Sequence, residues 1–279
     1  MAHRFKQAIC NEVYEKRPLR EVCRSIREIG YDGIEIAPFT LADRPSDIGA
    51  AQRREYRDTI RSEGLGYVGL HWLMVSPKGL HVTTPDRELR ARSWRHIDDL
   101  IDLCADLGDN GIMVFGSPVQ RGTTGGISRA DAMKNYAEGL VGVAIHAAQR
   151  GVTILVEALP KNQCDVINTL DEAAGIVKQI GSPAVRTMFD THNAADEVEP
   201  HATLVDRYFD LIRHVHINEM DGRYPGTGDY DFKPVFEVLR RRGYERWVSL
   251  EVFDFKPGPE RIASDSLRFI AGEIAMIDA

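Results

Sequence analysis

Three carboxylates and a pair of histidines stand out in the sequence because each lies in or at the end of a short apolar run. Glu157 ends ILVE, Asp190 ends TMFD and Glu251 ends VSLE, while His214 and His216 lie within IRHVHI. Burying a carboxylate there is costly unless a cation or hydrogen bonds offset it. Three carboxylates that converged would repel one another, and a divalent cation would remove that conflict. Oxygen ligands with one imidazole suit Mn²⁺, Mg²⁺ or Co²⁺ better than a structural zinc site.

Each of these residues also has an ordinary explanation when it is taken alone. A strand-end carboxylate is usually a helix cap or an ion-pair partner, and a buried histidine is usually hydrogen-bonded in the core. Such residues on successive strands are harder to explain in that way. We therefore predict a metal site formed by Glu157, Asp190, His216 and Glu251. His216 lies nearer the strand end than His214, which shares its face in a regular strand and receives a supporting role.

The apolar runs that carry these residues recur along the chain and are rich in Val and Ile, which is typical of buried parallel strands. The predicted strands are Phe5–Cys10, Gly33–Ala37, Gly66–Leu73, Gly111–Gly116, Val152–Leu159, Val185–Asp190, Ile212–Ile217 and Trp247–Phe253.

Longer amphipathic stretches separate the runs, and several end at a glycine, as a helix that closes in a left-handed residue does. The predicted helices are Leu19–Ile29, Asp86–Leu107, Ala130–Arg150, Leu170–Ile180, Ala202–Leu211, Lys233–Arg242 and Glu260–Ile277. Alternation of strands and helices over the whole chain predicts a parallel sheet with helices outside. Eight such units favour a single-domain (β/α)8 TIM barrel over residues 1–279, with an open doubly wound sheet as the alternative.

Composition sets limits on the function. The chain has 279 residues, of which 43% are hydrophobic, and a net charge of −7 that disfavours nucleic acid as a partner. No apolar run is long enough for a transmembrane helix, and the first residues contain no apolar signal core, so we expect a cytoplasmic protein without membrane contact. The cysteines, Cys10, Cys23, Cys104 and Cys164, have no CxxC spacing and are expected to be free thiols.

Other groups are expected near the same end of the barrel, because catalytic groups of such barrels come from the carboxyl ends of several strands. Glu35 lies at the end of the second run, and His71 and Trp72 at the end of the third. Trp72 could form an apolar wall for a sugar face or pack beneath the mouth. Glu219 and Asp221 follow the seventh run and could bind hydroxyl groups or cap a turn.

One loop is unusually rich in glycine and threonine. It covers Ser117–Ser128, with the sequence SPVQRGTTGGIS. Such a loop could be a mobile lid over the mouth, a phosphate cradle or an ordinary flexible connection.

The strand-end residues belong to a series of motifs that occurs in order along nearly the whole chain. The motifs are GYDGIEI (30–36), LHWL (70–73), VEAL (156–159), FDTHN (189–193), HVHINE (214–219), PGTGDYDF (225–232) and SLEVF (249–253). Together they resemble the xylose-isomerase-like superfamily of sugar isomerases and epimerases, and they are most similar to the D-tagatose and D-psicose ketose 3-epimerases.

The resemblance implies roles for the strand-end residues. Glu157, Asp190, His216 and Glu251 fall on the four metal ligands of those epimerases. There the two glutamates lie on opposite faces of the substrate carbon, so that one removes a proton and the other returns one. One divalent ion is therefore expected, Mn²⁺ in the first place, with Mg²⁺, Co²⁺ or Zn²⁺ as alternatives.

The chain departs from the epimerase pattern at three positions around the substrate. Asn193 replaces a histidine and has His192 beside it, Gly222 replaces an arginine and has Arg223 beside it, and Gln163 replaces a glutamate. We therefore expect poor activity on free tagatose or psicose. The residues predicted to bind the substrate are His71, Trp72, Gln163, His192, Asn193, Glu219 and Arg223.

The function predicted from the site and the resemblance is a metal-dependent isomerase or epimerase of a keto-sugar or related polyol. It would act through a metal-stabilised enediolate, with Glu157 and Glu251 as the acid–base pair. The alternative is a lyase or dehydratase similar to inosose or dehydroshikimate dehydratases or to enzymes that cleave 3-keto-glycosides. A non-catalytic sugar-binding protein is a third hypothesis. The expected partner is a small sugar, and relatives suggest a homodimer or homotetramer.

Overall fold

Eight parallel strands form a closed barrel in which each strand pairs with its neighbour in sequence and β8 pairs with β1. The structure is a computed structural model and describes residues 5–278. The strands are β1 Lys6–Cys10, β2 Gly33–Ile36, β3 Gly66–Leu70, β4 Ile112–Phe115, β5 Thr153–Val156, β6 Val185–Asp190, β7 Ile212–Ile217 and β8 Trp247–Leu250. The predicted TIM barrel is confirmed.

Helices cover the outside of the barrel, and most of the longer ones bury an apolar face. They are α1 Leu19–Ile29, α2 Ala50–Ser62, α3 Arg87–Leu107, α4 Pro118–Arg121, α5 Arg129–Gln149, α6 Leu170–Ile180, α7 His201–Tyr208, α8 Lys233–Arg241 and α9 Pro259–Asp278. Short 3-10 turns occupy Asn11–Tyr14, Pro38–Thr40 and Pro45–Asp47.

The sequence pattern failed to predict α2. Its sequence, AAQRREYRDTIRS, buries Thr59 and Ile60 fully and leaves most of the helix polar, so it has no apolar stripe for the periodicity to detect. Contacts beyond the helix hold it: Arg53 donates to the Asp106 carboxylate of α3 at 2.9 Å and to the carbonyl oxygen of Pro45 at 2.8 Å.

Three strands end three residues earlier than their apolar runs predicted, and β2 and β4 end one residue earlier. β3 ends at Leu70, β5 at Val156 and β8 at Leu250. Glu157 and Glu251 therefore lie one residue past the last paired residue of their strands, where the chain turns away from the ladder. Asp190, the last residue of β6, is in register with His216 of β7. This register brings Asp190 and His216 to the same depth in the barrel.

The core fills the space between barrel and helices, and all four cysteines are buried in it as free thiols. Within residues 5–278, no helix combines the length and the apolar character that a membrane crossing requires.

Candidate metal centre and cavity

The four strand-end residues that the sequence singled out meet at the mouth of the barrel. One ligand atom from each of Glu157, Asp190, His216 and Glu251 lies within 4.8 Å of the ligand atoms of the others. The Nδ1 atom of His216 is 3.2 Å from Glu251 Oε2 and 3.6 Å from Asp190 Oδ2. All four side chains are buried. The structure thus brings together the whole predicted ligand set.

Two atoms of this cluster support a cation directly. Asp190 Oδ2 and His216 Nδ1 are buried and make no hydrogen bond of acceptable geometry within the described part of the chain. Buried polar atoms in folded proteins are nearly always satisfied. A divalent cation that accepted these atoms, together with an oxygen from each glutamate, would satisfy them. Three oxygen donors and one nitrogen donor suit Mn²⁺, Mg²⁺ or Co²⁺.

The carboxyl groups of the cluster differ in acidity. Burial, together with the charges of Glu251 and Asp190, raises the pKa of Glu157 to about 8. Burial also raises the pKa of Glu251. Burial acts in the same direction on Asp190, but the nearness of His216 holds the pKa of this carboxyl below its usual value. Without a cation, the three carboxyl groups do not all ionise together near neutral pH.

A buried carboxylate lies directly behind His216. Glu35, the third residue of β2, is fully buried, and its Oε1 and Oε2 atoms are 3.1 and 3.3 Å from His216 Nε2. Its Oε2 atom is 2.8 Å from His214 Nε2. Burial would raise the pKa of Glu35, but the two histidines hold it well below its usual range. A proton donated from Nε2 of His216 leaves Nδ1 free to face the cluster.

His71 lies in the same buried layer, although the sequence suggested that it binds substrate. It has no exposed surface, and its Nε2 atom is 2.6 Å from Glu12 Oε2. Its ring meets that of His216 edge-on, with centroids 6.2 Å apart. The structure therefore places His71 beneath the mouth. Sequence reasoning missed Glu12, which follows the predicted first strand, Phe5–Cys10, by two residues and has no feature in the sequence that marks it.

Above the cluster lies a cavity of about 390 Å³. On one side its lining is polar, with both glutamates and a chain of neutral groups. Asn193 donates from Nδ2 to Glu157 Oε1 at 2.9 Å, and Gln163 donates from Nε2 to Asn193 Oδ1 at 3.2 Å. Gln163 Nε2 also lies 3.1 Å from His192 Nε2. Three residues predicted to bind substrate, Gln163, His192 and Asn193, thus form one hydrogen-bonded row beside Glu157.

The cavity also has an apolar part of its lining. Lys78, Ser117 and Gln120 line the cavity as well, and the apolar lining residues are Trp72, Val75, Pro118, Val119, Leu159 and Phe253. Trp72, which the sequence left open between a wall and core packing, lines the cavity and is half-buried.

Gly116, at the end of β4, provides room for the Glu157 carboxyl. A Cβ atom at this position would lie 2.1 Å from Glu157 Oε2 and 3.2 Å from its carboxyl carbon. No side chain can occupy that space while Glu157 keeps its place.

Glu219 and Arg223 lie in a separate surface cleft and do not line this cavity. Glu219 accepts hydrogen bonds from the backbone N–H groups of Gly226 and Tyr230, at 2.7 and 3.2 Å. It therefore holds the loop after β7. Arg223 is half-buried and donates from Nε to Asp221 at 2.7 Å. The structure does not bring either residue to the predicted metal ligands, because both are used in this local turn.

The loop Ser117–Ser128 is anchored by an arginine that the sequence did not single out. Arg121, in α4, is fully buried and donates from Nη1 to the carbonyl oxygens of Phe115 and Glu157, at 3.0 and 2.7 Å. Its guanidinium lies over the Tyr136 ring, 5.6 Å from the centroid. The first part of the loop is therefore tied to the ends of β4 and β5.

Comparison with known proteins identifies the class to which this fold and site belong. The family model described as xylose isomerase-like TIM barrel matches residues 23–272. The chain belongs to this family, as its motifs predicted.

Particular relatives are sugar epimerases. The chain is 26% identical to the 3-dehydro-D-guloside 4-epimerase of Escherichia coli, over 93% of this chain and 97% of that protein. It is 27% identical to the L-ribulose 3-epimerase of Mesorhizobium japonicum, over 84% and 75%. The structure of D-psicose 3-epimerase from Clostridium cellulolyticum H10 with D-tagatose superposes with a TM-score of 0.84 at 19% identity, covering 97% of this chain and 99% of that one. Epimerases are isomerases, so the prediction of an isomerase-type enzyme is confirmed.

Proposed function

We propose that this protein is a divalent-metal-dependent epimerase of a keto-sugar, in which Glu157 and Glu251 exchange a proton with the substrate. One observation carries the proposal: these two carboxyl groups both line the cavity and both belong to the four-residue ligand cluster. A substrate bound in the cavity would therefore contact, at one place, the side chains that would hold the cation and the carboxyl groups that would exchange the proton. The manganese preference and a homodimer or homotetramer stay predictions.

The residues present fit a divalent cation, and Glu157, Asp190, His216 and Glu251 would hold it. When bound, such an ion would supply Lewis-acid chemistry to the carbonyl and hydroxyl oxygens of the sugar and so acidify the C–H bond between them.

The two glutamates have the positions and the different surroundings that proton exchange requires. They follow β5 and β8, strands that are not neighbours in the barrel, so their carboxyl groups enter the cavity from different sides. Glu157 is hydrogen-bonded by Asn193, whereas Glu251 faces His216. Different neighbours allow one carboxyl to hold a proton while the other is ionised. Removal from one face and delivery from the other inverts the carbon.

Sugars that carry a substituent are the substrates we favour. The Escherichia coli relative acts, by its name, on a guloside, which is a glycoside. In this chain the polar row beside Glu157 is neutral, with Gln163 and Asn193 as its amides.

The experiment is a screen of keto-sugars, 3-keto-glycosides and inososes in deuterated water with Mn²⁺, followed by proton NMR. Epimerisation gives hydrogen–deuterium exchange together with a diastereomer of the substrate. An unsaturated or deoxy-keto product would show elimination and replace the proposal with a lyase. Saturable binding of these sugars without any exchange would show a sugar-binding protein and contradict it.

A further inference from the structure

We propose that the apolar side of the cavity is a subsite for an aromatic aglycone, so that the substrate is an aryl keto-glycoside rather than a free sugar. The inference rests on the proposed function, because Glu157 and Glu251 fix where the sugar ring lies. The apolar wall, defined as Trp72, Val75, Val119, Leu159 and Phe253, then faces whatever the sugar carries.

The wall contains a stack of aromatic rings. Trp72 lies between Phe39 and Phe253, with ring centroids 6.0 and 5.9 Å apart and planes inclined by 17° and 11°. Near-parallel rings of this kind present a flat, rigid apolar surface, and a further aromatic ring adds to it in offset stacking. The stack also fixes the position of Phe253, whose ring contacts His192 at 5.0 Å on another side.

Two members of the wall are exposed although they are large and apolar. Val119 is 77% exposed and Phe253 is 41% exposed. A single exposed apolar side chain is ordinary, but both of these line the same cavity, where a bound group could cover them. The aliphatic and phenyl side chains of the wall cannot form hydrogen bonds, so a group that covers them gains free energy by burying apolar surface. Lys78, Ser117 and Gln120 also line the cavity and remain available to polar groups of the ligand. An aromatic ring is therefore the group that gains most from covering the wall.

The backbone at this side of the cavity has an uncommon conformation. Trp72 and Ser117 both line the cavity and have φ angles of 49° and 51°. Bulky side chains such as that of Trp72 rarely adopt this left-handed region, and strained backbone of this kind is often found at ligand sites.

Gly222 makes the position of Phe253 possible. Its φ is +79°, and a Cβ atom there would lie 2.8 Å from Phe253 Cδ2. A side chain at this position would push the Phe253 ring away from the wall. Phe253 N–H also donates to the Gly222 carbonyl oxygen at 2.8 Å. Gly222 therefore supports the position of Phe253 in the wall, both by having no side chain and by accepting this hydrogen bond.

The cavity also has the size for two groups. Its volume, about 390 Å³, falls in the range of roughly 300–1,000 Å³ that proteins use to enclose drug-sized ligands. The polar row at Glu157 and the apolar wall divide this space into one part for hydroxyl groups and one part for an aromatic ring.

Binding of simple glycosides tests the subsite without any turnover. Phenyl and methyl D-glucopyranosides, in both anomeric forms, are titrated into the full-length protein by calorimetry. Burial of one aromatic ring should make the dissociation constant of a phenyl glycoside roughly 10–100-fold lower than that of its methyl counterpart. Equal dissociation constants for the phenyl and methyl forms of both anomers would overturn the subsite.

Two variants locate the effect on the wall. Val119→Asp and Phe253→Ser place polar groups at exposed positions and should reduce the phenyl advantage towards one. Val141→Asp is the matched control, since Val141 is 54% exposed on α5, away from the cavity; it should keep the advantage. A phenyl advantage that survives in both wall variants overturns the proposal. An oligomer that dissociates in Val119→Asp on size-exclusion chromatography with light scattering also overturns it, because the wall would then be a subunit contact.

Turnover separates this inference from the proposed function. With Mn²⁺, phenyl 3-keto-glucosides should exchange in deuterated water with a kcat/KM about tenfold or more above that of the methyl 3-keto-glucosides. Exchange at equal rates contradicts the subsite and leaves the epimerase proposal standing. If no sugar exchanges, the epimerase proposal is contradicted. The ratio of the phenyl to the methyl glycoside dissociation constant then decides by itself whether the subsite exists.

Discussion

Glu35 should control how tightly the cluster binds a cation, although it is not one of the proposed ligands. Its carboxylate lies 3.1 and 3.3 Å from His216 Nε2, on the side of the ring opposite the cluster. It thereby selects the tautomer in which Nδ1 has no proton and can act as a ligand. Glu35→Gln keeps the size of the side chain and removes the charge. The amide no longer favours that tautomer, and its N–H₂ group can turn towards the ring nitrogen.

The magnitude follows from the hydrogen bonds that are lost. A hydrogen bond with a charged partner contributes about 1.5–3 kcal/mol, and only the part that differs between the cation-bound and cation-free forms changes the affinity. Substitution of such an outer partner typically weakens metal binding about 10–100-fold. At about 1.4 kcal/mol per factor of ten, this corresponds to roughly 1.4–2.8 kcal/mol. We expect Glu35→Gln to raise the Mn²⁺ dissociation constant by this factor.

The assay is a Mn²⁺ titration in which electron paramagnetic resonance reports the free ion, made on protein whose folding has been checked by circular dichroism and thermal unfolding. Glu12→Gln is the matched control. Glu12 is also a buried glutamate bonded to a histidine, with His71 Nε2 at 2.6 Å, but that histidine is not a proposed ligand. Loss of either carboxylate should lower the thermal stability, whereas only Glu35→Gln should weaken Mn²⁺ binding by tenfold or more.

Two results would refute the reasoning. Glu35→Gln could bind Mn²⁺ as tightly as the unmodified protein, in which case the carboxylate does not orient His216. Alternatively, Glu12→Gln could lose as much affinity as Glu35→Gln, in which case the loss reflects the general electrostatics of the buried layer.

Four other outcomes follow from the same site. Glu157→Gln and Glu251→Gln should each retain some Mn²⁺ but lose turnover by about 10²–10⁴-fold. Excess Mn²⁺ should partly restore the turnover of Asp190→Asn. If excess Mn²⁺ also restored the turnover of the two glutamine variants, the glutamates would be only ligands. Because burial and the neighbouring carboxylates raise the pKa of Glu157 to about 8, this carboxyl holds a proton at pH 7 that a cation must displace. Mn²⁺ affinity should therefore rise with pH between 6.5 and 8.5, with proton release in calorimetry; a constant affinity over that range would contradict this. Free psicose and tagatose should be poor substrates, and a kcat/KM of about 10⁴ M⁻¹s⁻¹ or more on either would refute the argument from the neutral groups around the substrate. Gly116→Ala should leave a folded barrel with tenfold or greater loss of Mn²⁺ affinity, because its Cβ would lie 2.1 Å from Glu157 Oε2; wild-type affinity would show that the carboxyl can move without cost.

The barrel was predictable because its strands are buried on both faces and so appear as continuous apolar runs. The convergence of Glu157, Asp190, His216 and Glu251 was predictable for the same reason, since an acidic residue that ends such a run is conspicuous. α2 was missed because it is held by Arg53 and by two buried side chains and has no continuous apolar stripe. Several strands were predicted to be too long at their carboxyl ends, because their apolar runs continue into the turn beyond the last residue that pairs with a neighbouring strand.

The parts of the site that the sequence did not reveal depend on contacts between distant segments. Glu12 and Arg121 occur in ordinary polar surroundings in the sequence, and only the fold buries them against His71 and against the carbonyl oxygens of Phe115 and Glu157. Glu219 shows the opposite case. Its position after β7 suggested substrate binding, but the fold uses its carboxylate to bind the backbone of the loop that follows.

Arg121 has a consequence for how molecules enter and leave the cavity. Its Nη1 atom joins α4 to the backbone of Glu157, so a swing of α4 away from the mouth would break the hydrogen bonds of a buried guanidinium to the carbonyl oxygens of Phe115 and Glu157. The loop and the proposed base are mechanically coupled, and the cavity stands open in advance of binding. Substrate and product should then enter and leave the cavity by diffusion along its walls. New substrate preferences should arise by substitution of outward-facing side chains of α4, such as Val119, while the α4 backbone stays fixed.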